Sequence, residues 1–278
     1  MHFIFSIFIR AECVIIYIEN YMLAGENMTT NNHLCFISDI VEEKHTYQHN
    51  QKLCPFCNRD ELAEILDEEG SILLVKNKFA TLADTYQTVL IESNDCSANI
   101  STYDKSHMRK IISFGTNHWL KMEQSGDFKS VIFYKNHGPL SGASIKHAHM
   151  QIIGLRDIDY RQNIKDEIFE GIEIYREGNC YLNISTKPNA SALEFNIITD
   201  TRNDNFMADN IQVVVKYILN HTNCSSFNLF FYQWKNSIIC KIASRYITSP
   251  FLIGYSISHI TNRLDSIAEE LKKNYYNS

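Results

Sequence analysis

The sequence predicts an α+β fold in which antiparallel sheets carry helices packed on one face. Three observations lead there. An order of strand, strand, helix, strand, strand occurs twice along the chain. The strands are short and bounded by turn residues, whereas the segment between each pair has helical periodicity. Only four of the 278 residues are proline, and no low-complexity linker separates the two copies, so they should pack together.

In the first copy, residues 71–75 read as a strand and 88–92 as its neighbour. Residues 104–124 follow as a helix. Met108, Ile111, Ile112, Trp119 and Leu120 recur at helical spacing, Ser101 or Thr102 can cap the start, and Gly126 lies beyond the end. Residues 130–135 and 147–155 read as strands joined by the loop NHGPLSGASIK. In the second copy, 181–185 and 194–199 read as strands, 206–219 as a helix and 227–232 and 238–242 as strands, before a closing helix over about 261–273. The first unit thus spans 28–160 and the second 161–278.

The composition, 45% hydrophobic and 21% charged, suffices for one large core or two smaller ones. With a net charge of -6 and no dense run of lysine or arginine, the chain does not suit general nucleic-acid binding; a small anionic ligand needs only a local site. Eight cysteines over this length are too sparse for a disulfide scaffold and fit a reducing, cytoplasmic compartment. The apolar start, MHFIFSIFIRAECVIIYIENYML, is interrupted by Arg10, Glu12 and Glu19 and lacks a basic leader, so neither a signal peptide nor a membrane anchor is expected. Met28 opens a polar stretch, and residues 1–27 read as a dispensable extension.

The most informative run is Asn136 to Gly154, NHGPLSGASIKHAHMQIIG. His147, His149 and Gln151 alternate with Ala148, Met150 and Ile152. On a strand the three polar side chains share one face, ~7 Å between successive members, and the apolar ones face a core. The preceding loop can supply the rest of an anion site: Gly138, Gly142 and Ala143 leave backbone N–H groups approachable and Ser144 adds a hydroxyl. A neutral imidazole whose second nitrogen is held by an acceptor is a competent nucleophile toward phosphorus, a role that suits His149. Gln151 can donate to a phosphate oxygen as charge builds there. A lone strand histidine would more simply be a half-buried structural residue. Two histidines and a glutamine in register behind a loop of small residues favour chemistry.

Cys54-Pro-Phe-Cys57 is the second constellation. A thioredoxin-like redox pair should sit between a strand and a long helix, and these flanks do not show that. Zinc fits better and requires two further ligands from distant sequence; Cys96, His107, His118, His137 and His147 are candidates.

These residues resemble a known family. NHGPLSGASIKHAHMQI is similar to the active-site segment of galactose-1-phosphate uridylyltransferases, a branch of the histidine-triad superfamily, N-x-G-x-x-x-G-x-S-x-x-H-P-H-x-Q, with Ala148 in place of the proline. Related branches include ADP-glucose phosphorylase and the phosphorylases of dinucleoside polyphosphates. VKNKFATL resembles the segment P-N-x-F-P-A-L, which implies that Asn77 and Phe79 lie near the bound nucleotide. The resemblance makes Cys54 and Cys57 the first zinc pair, Cys96 the counterpart of a histidine ligand and His147 the fourth ligand, with His107 as fallback. Four protein ligands make this one structural ion per chain.

The fold so implied is a tandem of histidine-triad-like repeats, the second degenerate because it lacks a His-x-His pair. The implied activity is nucleotidyl transfer on a nucleotide-sugar or other nucleoside diphosphate substrate. His149 is the nucleophile, the carbonyl of His147 holds its other nitrogen, and Asn136, Ser144 and Gln151 bind phosphate oxygens. Two departures weigh against galactose specificity. No arginine lies between Met28 and Cys54, only Lys44 and Lys52, and Ser256 stands where a hexose-binding glutamate would. Phosphorolysis or hydrolysis of a dinucleotide or nucleotide-sugar is the nearest rival, and a non-catalytic, zinc-containing nucleotide-binding protein is the rival of another class. In the relatives the degenerate repeat helps form the acceptor site with a partner subunit, so a homodimer is expected.

Overall fold

The computed structural model describes residues 33–50, 53–62 and 64–276, so the expectation for residues 1–27 lies outside the described residues. The chain opens with helix α1 (Ser38–Asn50) and continues through β1 (Ile65–Glu69), β2 (Ile72–Lys76), β3 (Thr85–Ile91), α2 (Lys105–Gln124), β4 (Ser130–His137) and β5 (His149–Leu155). The second half runs β6 (Gly171–Glu177), β7 (Cys180–Ser185), β8 (Glu194–Thr199), α3 (Asp204–His221), β9 (Phe227–Trp234) and β10 (Ser237–Ser244), then α4 (Pro250–Tyr255) and α5 (Leu264–Leu271).

The strands form one ten-stranded antiparallel sheet ordered β1-β2-β3-β5-β4-β9-β10-β8-β7-β6. The order is a mirror image about the β4–β9 pairing: each half contributes five strands with the same internal connections. Two separate sheets would leave β4 and β9 as open edges. Joining them satisfies both rows of backbone groups.

Alternation along the strands divides the residues between two faces. Leu74, Leu90, Met150, Ile152, Phe133, Leu229 and Ile197 belong to one large core with the apolar faces of α2, α3 and α5. Helix α2 is capped by the Asp104 side chain, which accepts from the N–H of His107, and not by Ser101 or Thr102. It lies close enough to the sheet that a Cβ added at Gly115 would meet Phe133 Cζ at 2.6 Å. The opposite face carries Leu73, Val75, Val89 and Ile91, packed with Phe56 and Leu62. Among the described residues, no helix is long and apolar enough to cross a membrane.

Four elements were not expected, among them the short helix α4. Strands β1 and β6 lie at the two ends of the sheet, and the burial pattern of β1 is exposed throughout, so no buried alternation marks it. Helix α1 occupies a stretch read as polar. Its half-buried residues Ile40, Val41, Lys44 and Tyr47 recur at helical spacing, but two of them are not aliphatic.

Candidate active site and metal cluster

Strand β5 begins at His149, so His147 stands two residues ahead of the strand and not within it. This frees the His147 ring to turn toward the Cys-x-x-Cys turn, where the N–H of Cys57 donates to the carbonyl of Cys54 at 3.0 Å. Cys54 Sγ and Cys57 Sγ lie 3.6 and 3.4 Å from His147 Nδ1. The loop after β3 adds Cys96, and the four ligand atoms lie within 4.8 Å of one another. On the far side of the ring, His147 Nε2 donates to the carbonyl of Ser93 at 2.9 Å. A carbonyl only accepts, so this contact leaves Nδ1 with its lone pair directed at the thiols, as a metal-binding histidine requires. The cluster therefore has the donor types, spacing and outer hydrogen bond of a four-coordinate metal site.

The other histidine candidates lie elsewhere. His107 Nε2 is 2.9 Å from the carbonyl of Glu92, His118 pairs with Asp67 at 2.9 Å, and His137 stacks on Phe227 with ring centroids 4.6 Å apart. Burial draws His137 down to about 4.

His149 is 8% exposed, and its Nδ1 is 2.8 Å from the carbonyl of His147. That acceptor requires Nδ1 to carry the proton, which leaves the lone pair on Nε2. Burial lowers the imidazole to about 4, outweighing the hydrogen bond to His147, so the ring is neutral near pH 7. Phe56 packs edge-on against it with centroids 5.1 Å apart.

His149, Gln151 and Ser144 line one cavity with Asn77 and Phe79, and the space measures about 720 Å³ including its mouth. Asn77 makes a local turn, its Oδ1 accepting from the N–H of Phe79 at 3.1 Å. Asn136, Gly142 and Ala143 are not among the residues lining this space. Asn136 lies near the end of β4, and Gly142 and Ala143 belong to the loop that follows, where Gly138 and Gly142 have φ of 83° and 85°. A Cβ added at Gly138 would stand 2.4 Å from the carbonyl of Ser225, so the close approach to the second half requires glycine. The N–H of Ala143 points back to Ser141 Oγ at 3.3 Å and is engaged within the loop.

Several site residues escaped the sequence reading. Lys44, Lys76 and Lys78 bring positive charge to the cavity wall. Burial lowers Lys44, and Lys78 Nζ sits 4.1 Å over the ring of Tyr47. Below β5, on the helix-covered side, Lys135 donates to Glu92 and, at 3.2 Å, to the carbonyl of His149. Both side chains of this ion pair are fully buried. A lysine at the parity of Val131 and Phe133 was the available signal.

Profiles of two domains of unknown function, the DUF4931 N-terminal and C-terminal domains, match residues 36–158 and 161–276. No curated sequence matches the chain. Among solved structures, a DUF4931 family protein from Bacillus cereus is 44% identical, with 77% of this chain and 100% of that one covered at a TM-score of 0.71. A GalT-like protein from Arabidopsis thaliana is 16% identical, covering 80% and 92% at 0.66. An ADP-glucose phosphorylase from Arabidopsis thaliana, with bound ADP-glucose, is 14% identical, covering 82% and 93% at 0.65. With both profiles together spanning nearly all the described residues, the chain belongs to the DUF4931 family, and its fold is similar to those of the GalT-like protein and the ADP-glucose phosphorylase.

Proposed function

We propose that this protein transfers a nucleotidyl group through a covalent adduct on His149. The observation that carries this reading is the orientation of the ring. Nδ1–H is held by the carbonyl of His147, and the side chain lines a cavity that also contains Ser144, Gln151, Lys44 and Lys78.

Nε2 attacks the α-phosphorus of a nucleoside diphosphate compound, and the bond from that phosphorus to the bridging oxygen breaks, releasing the β-phosphate with its substituent. The imidazolium charge of the adduct is stabilised through Nδ1–H and the His147 carbonyl. An acceptor phosphate oxygen then attacks the same phosphorus, the P–N bond breaks and the neutral ring returns. Gln151 and Ser144 donate to the non-bridging oxygens, and the lysines balance the phosphate charge. Asn77 and Phe79 support the nucleoside. Asn136, Gly142 and Ala143 shape the loop beside the phosphates.

Cys54, Cys57, Cys96 and His147 would hold one zinc ion, which would tie the early turn to the start of β5 and leave no open coordination position for activating water. The mirrored strand order supports assigning 28–160 as the active repeat and 161–278 as the degenerate one. The acceptor we favour is inorganic phosphate or a sugar phosphate. Ser256, at φ 54° after α4, offers no carboxylate to a hexose, which favours phosphorolysis over galactose-specific transfer. The segment after β10 exposes Ile247 by 85% and Ile253 and Tyr255 by 75% each, an apolar run that supports a homodimer.

Incubation with ADP-glucose, UDP-glucose and dinucleoside polyphosphates, followed by intact-mass measurement, tests the reading. A nucleoside monophosphate adduct that disappears in His149→Ala is expected. Turnover without any His149-dependent adduct would overturn covalent catalysis. Binding without turnover would support the non-catalytic alternative.

A further inference from the structure

The junction of the two halves contains a chain of amides that ends at the phosphate loop. Asn228 is 1% exposed and stands opposite Asn136 in the β4–β9 register. Its Oδ1 accepts from Arg245 Nη1 at 3.1 Å. Its Nδ2 donates to Asn136 Oδ1 at 2.7 Å and to the carbonyl of Ser141 at 3.1 Å.

A carboxamide can sit in its pocket either way round, but both ends of Asn228 are decided by chemistry. A guanidinium only donates, and a main-chain carbonyl only accepts. One orientation satisfies Arg245 and Ser141 together. That orientation presents an N–H to Asn136, which must answer with its own oxygen. The Nδ2 of Asn136 is then the end left for the loop. It is the nearest heavy atom to a Cβ added at Gly142, 3.7 Å away. Neighbouring contacts hold the same corner: the N–H of Arg245 donates to the carbonyl of Ser226 at 2.7 Å, and Ser226 Oγ accepts from the N–H of Leu140 at 3.1 Å.

We propose that Arg245 and Asn228, both supplied by the second half, are positioning residues that set the hydrogen-bond polarity of Asn136, so that the loop shows a donor and not a carbonyl oxygen to a substrate phosphate. The ligand end of this inference rests on the nucleotidyl-transfer reading; the polarity of the relay does not. The second half, which has no His-x-His pair of its own, thereby determines what the first half can bind.

The test uses the full chain labelled with nitrogen-15, with ADP as probe. The Asn136 side-chain amide resonance is assigned by its loss in Asn136→Ala. Asn228→Asp keeps the shape and the acceptor for Arg245 but cannot donate, and Arg245→Met removes the donor that orients Asn228. Both should shift the Asn136 resonance, and Asn228→Asp should weaken ADP binding, measured by calorimetry, by about tenfold or more, the scale of one misdirected hydrogen bond to a charged group. Arg245→Lys, which also only donates, should keep the Asn136 resonance at its wild-type position. In an Asn136→Ala background, Asn228→Asp should weaken ADP binding no further.

An unmoved Asn136 resonance in both Asn228→Asp and Arg245→Met overturns the relay, as do fully additive losses. Should the buried carboxylate of Asn228→Asp prevent folding, the contrast between Arg245→Met and Arg245→Lys decides the question. Because the resonance needs no ligand, a wild-type protein that ignores ADP while its variants shift Asn136 would sink the nucleotide reading and leave the relay standing.

Discussion

The same face of the sheet looks different in its two halves. On β5, His149 and Gln151 face a cavity, and the only partner of the His149 ring among the described hydrogen bonds is a single carbonyl. On β10, Lys241 points to the corresponding face and is closed in. It donates to Glu194 at 2.9 Å and to the carbonyl of Ile168 at 2.7 Å, and burial lowers its pKa. Glu194 in turn accepts from the N–H groups of Asn189, Ala190 and Ser191. Asn196 and Asn183 pair beside them at 2.8 Å. Polar groups that satisfy one another hold a fold together, whereas groups left directed at open space are available for a ligand. A duplicated architecture can keep its geometry while one copy leaves polar groups facing a cavity and the other closes them against one another.

This contrast can be broken by removing one group from each side. The largest effect is expected at His149. His149→Ala should lower turnover by on the order of 10⁴-fold or more, the scale seen when a group forming the covalent intermediate is lost, with the melting temperature nearly unchanged. Wild-type turnover in this variant would dismiss the open face as the site of chemistry.

Lys241→Met should behave in the opposite way. It leaves Glu194 buried without its charge partner and should destabilise the fold by about 3–5 kcal/mol in denaturant unfolding, while kcat of the remaining folded enzyme stays at the wild-type level. A selective loss of kcat would show that the second half carries chemistry after all.

Cys96→Ser sharpens the comparison from the metal side. Elemental analysis should show loss of the bound ion, and thermal unfolding should shift downward, because the cluster ties the turn before β1 to the start of β5. Retention should also fall as pH drops, since thiols bind as thiolates and protons compete with the ion. An unchanged zinc content would remove Cys96 from the ligand set.

Gln151→Ala is the mildest of these changes. A loss of about 10² to 10³ in kcat, with little change in stability, is expected for one donor to a charge that develops in the transition state. An effect confined to KM would instead make Gln151 a ground-state contact.

The helix α2 and the long strands were legible because each element repeats its apolar residues at the period of its own geometry. The outer strands β1 and β6 were not. They pair along one edge only, and β1 is exposed on both faces, so little burial imprints a pattern on it. In the site, His147, His149 and Gln151 were readable because they are close in sequence. Lys44 and Lys78 were not, since nothing local relates a lysine in α1 to a strand more than a hundred residues later.

The sequence by itself determined the doubled order of elements, the face shared by His149 and Gln151 and the first cysteine pair of the cluster, because strand alternation and a Cys-x-x-Cys turn are local properties of the backbone. Only the tertiary structure decided that both halves share one sheet, that Cys96 and His147 meet the first cysteine pair, and that Asn228 and Arg245 reach across the junction to Asn136. Those outcomes depend on which edges pair and in what register. Pairing is settled by the sum of backbone hydrogen bonds and burial over the whole sheet, a quantity that no short segment contains.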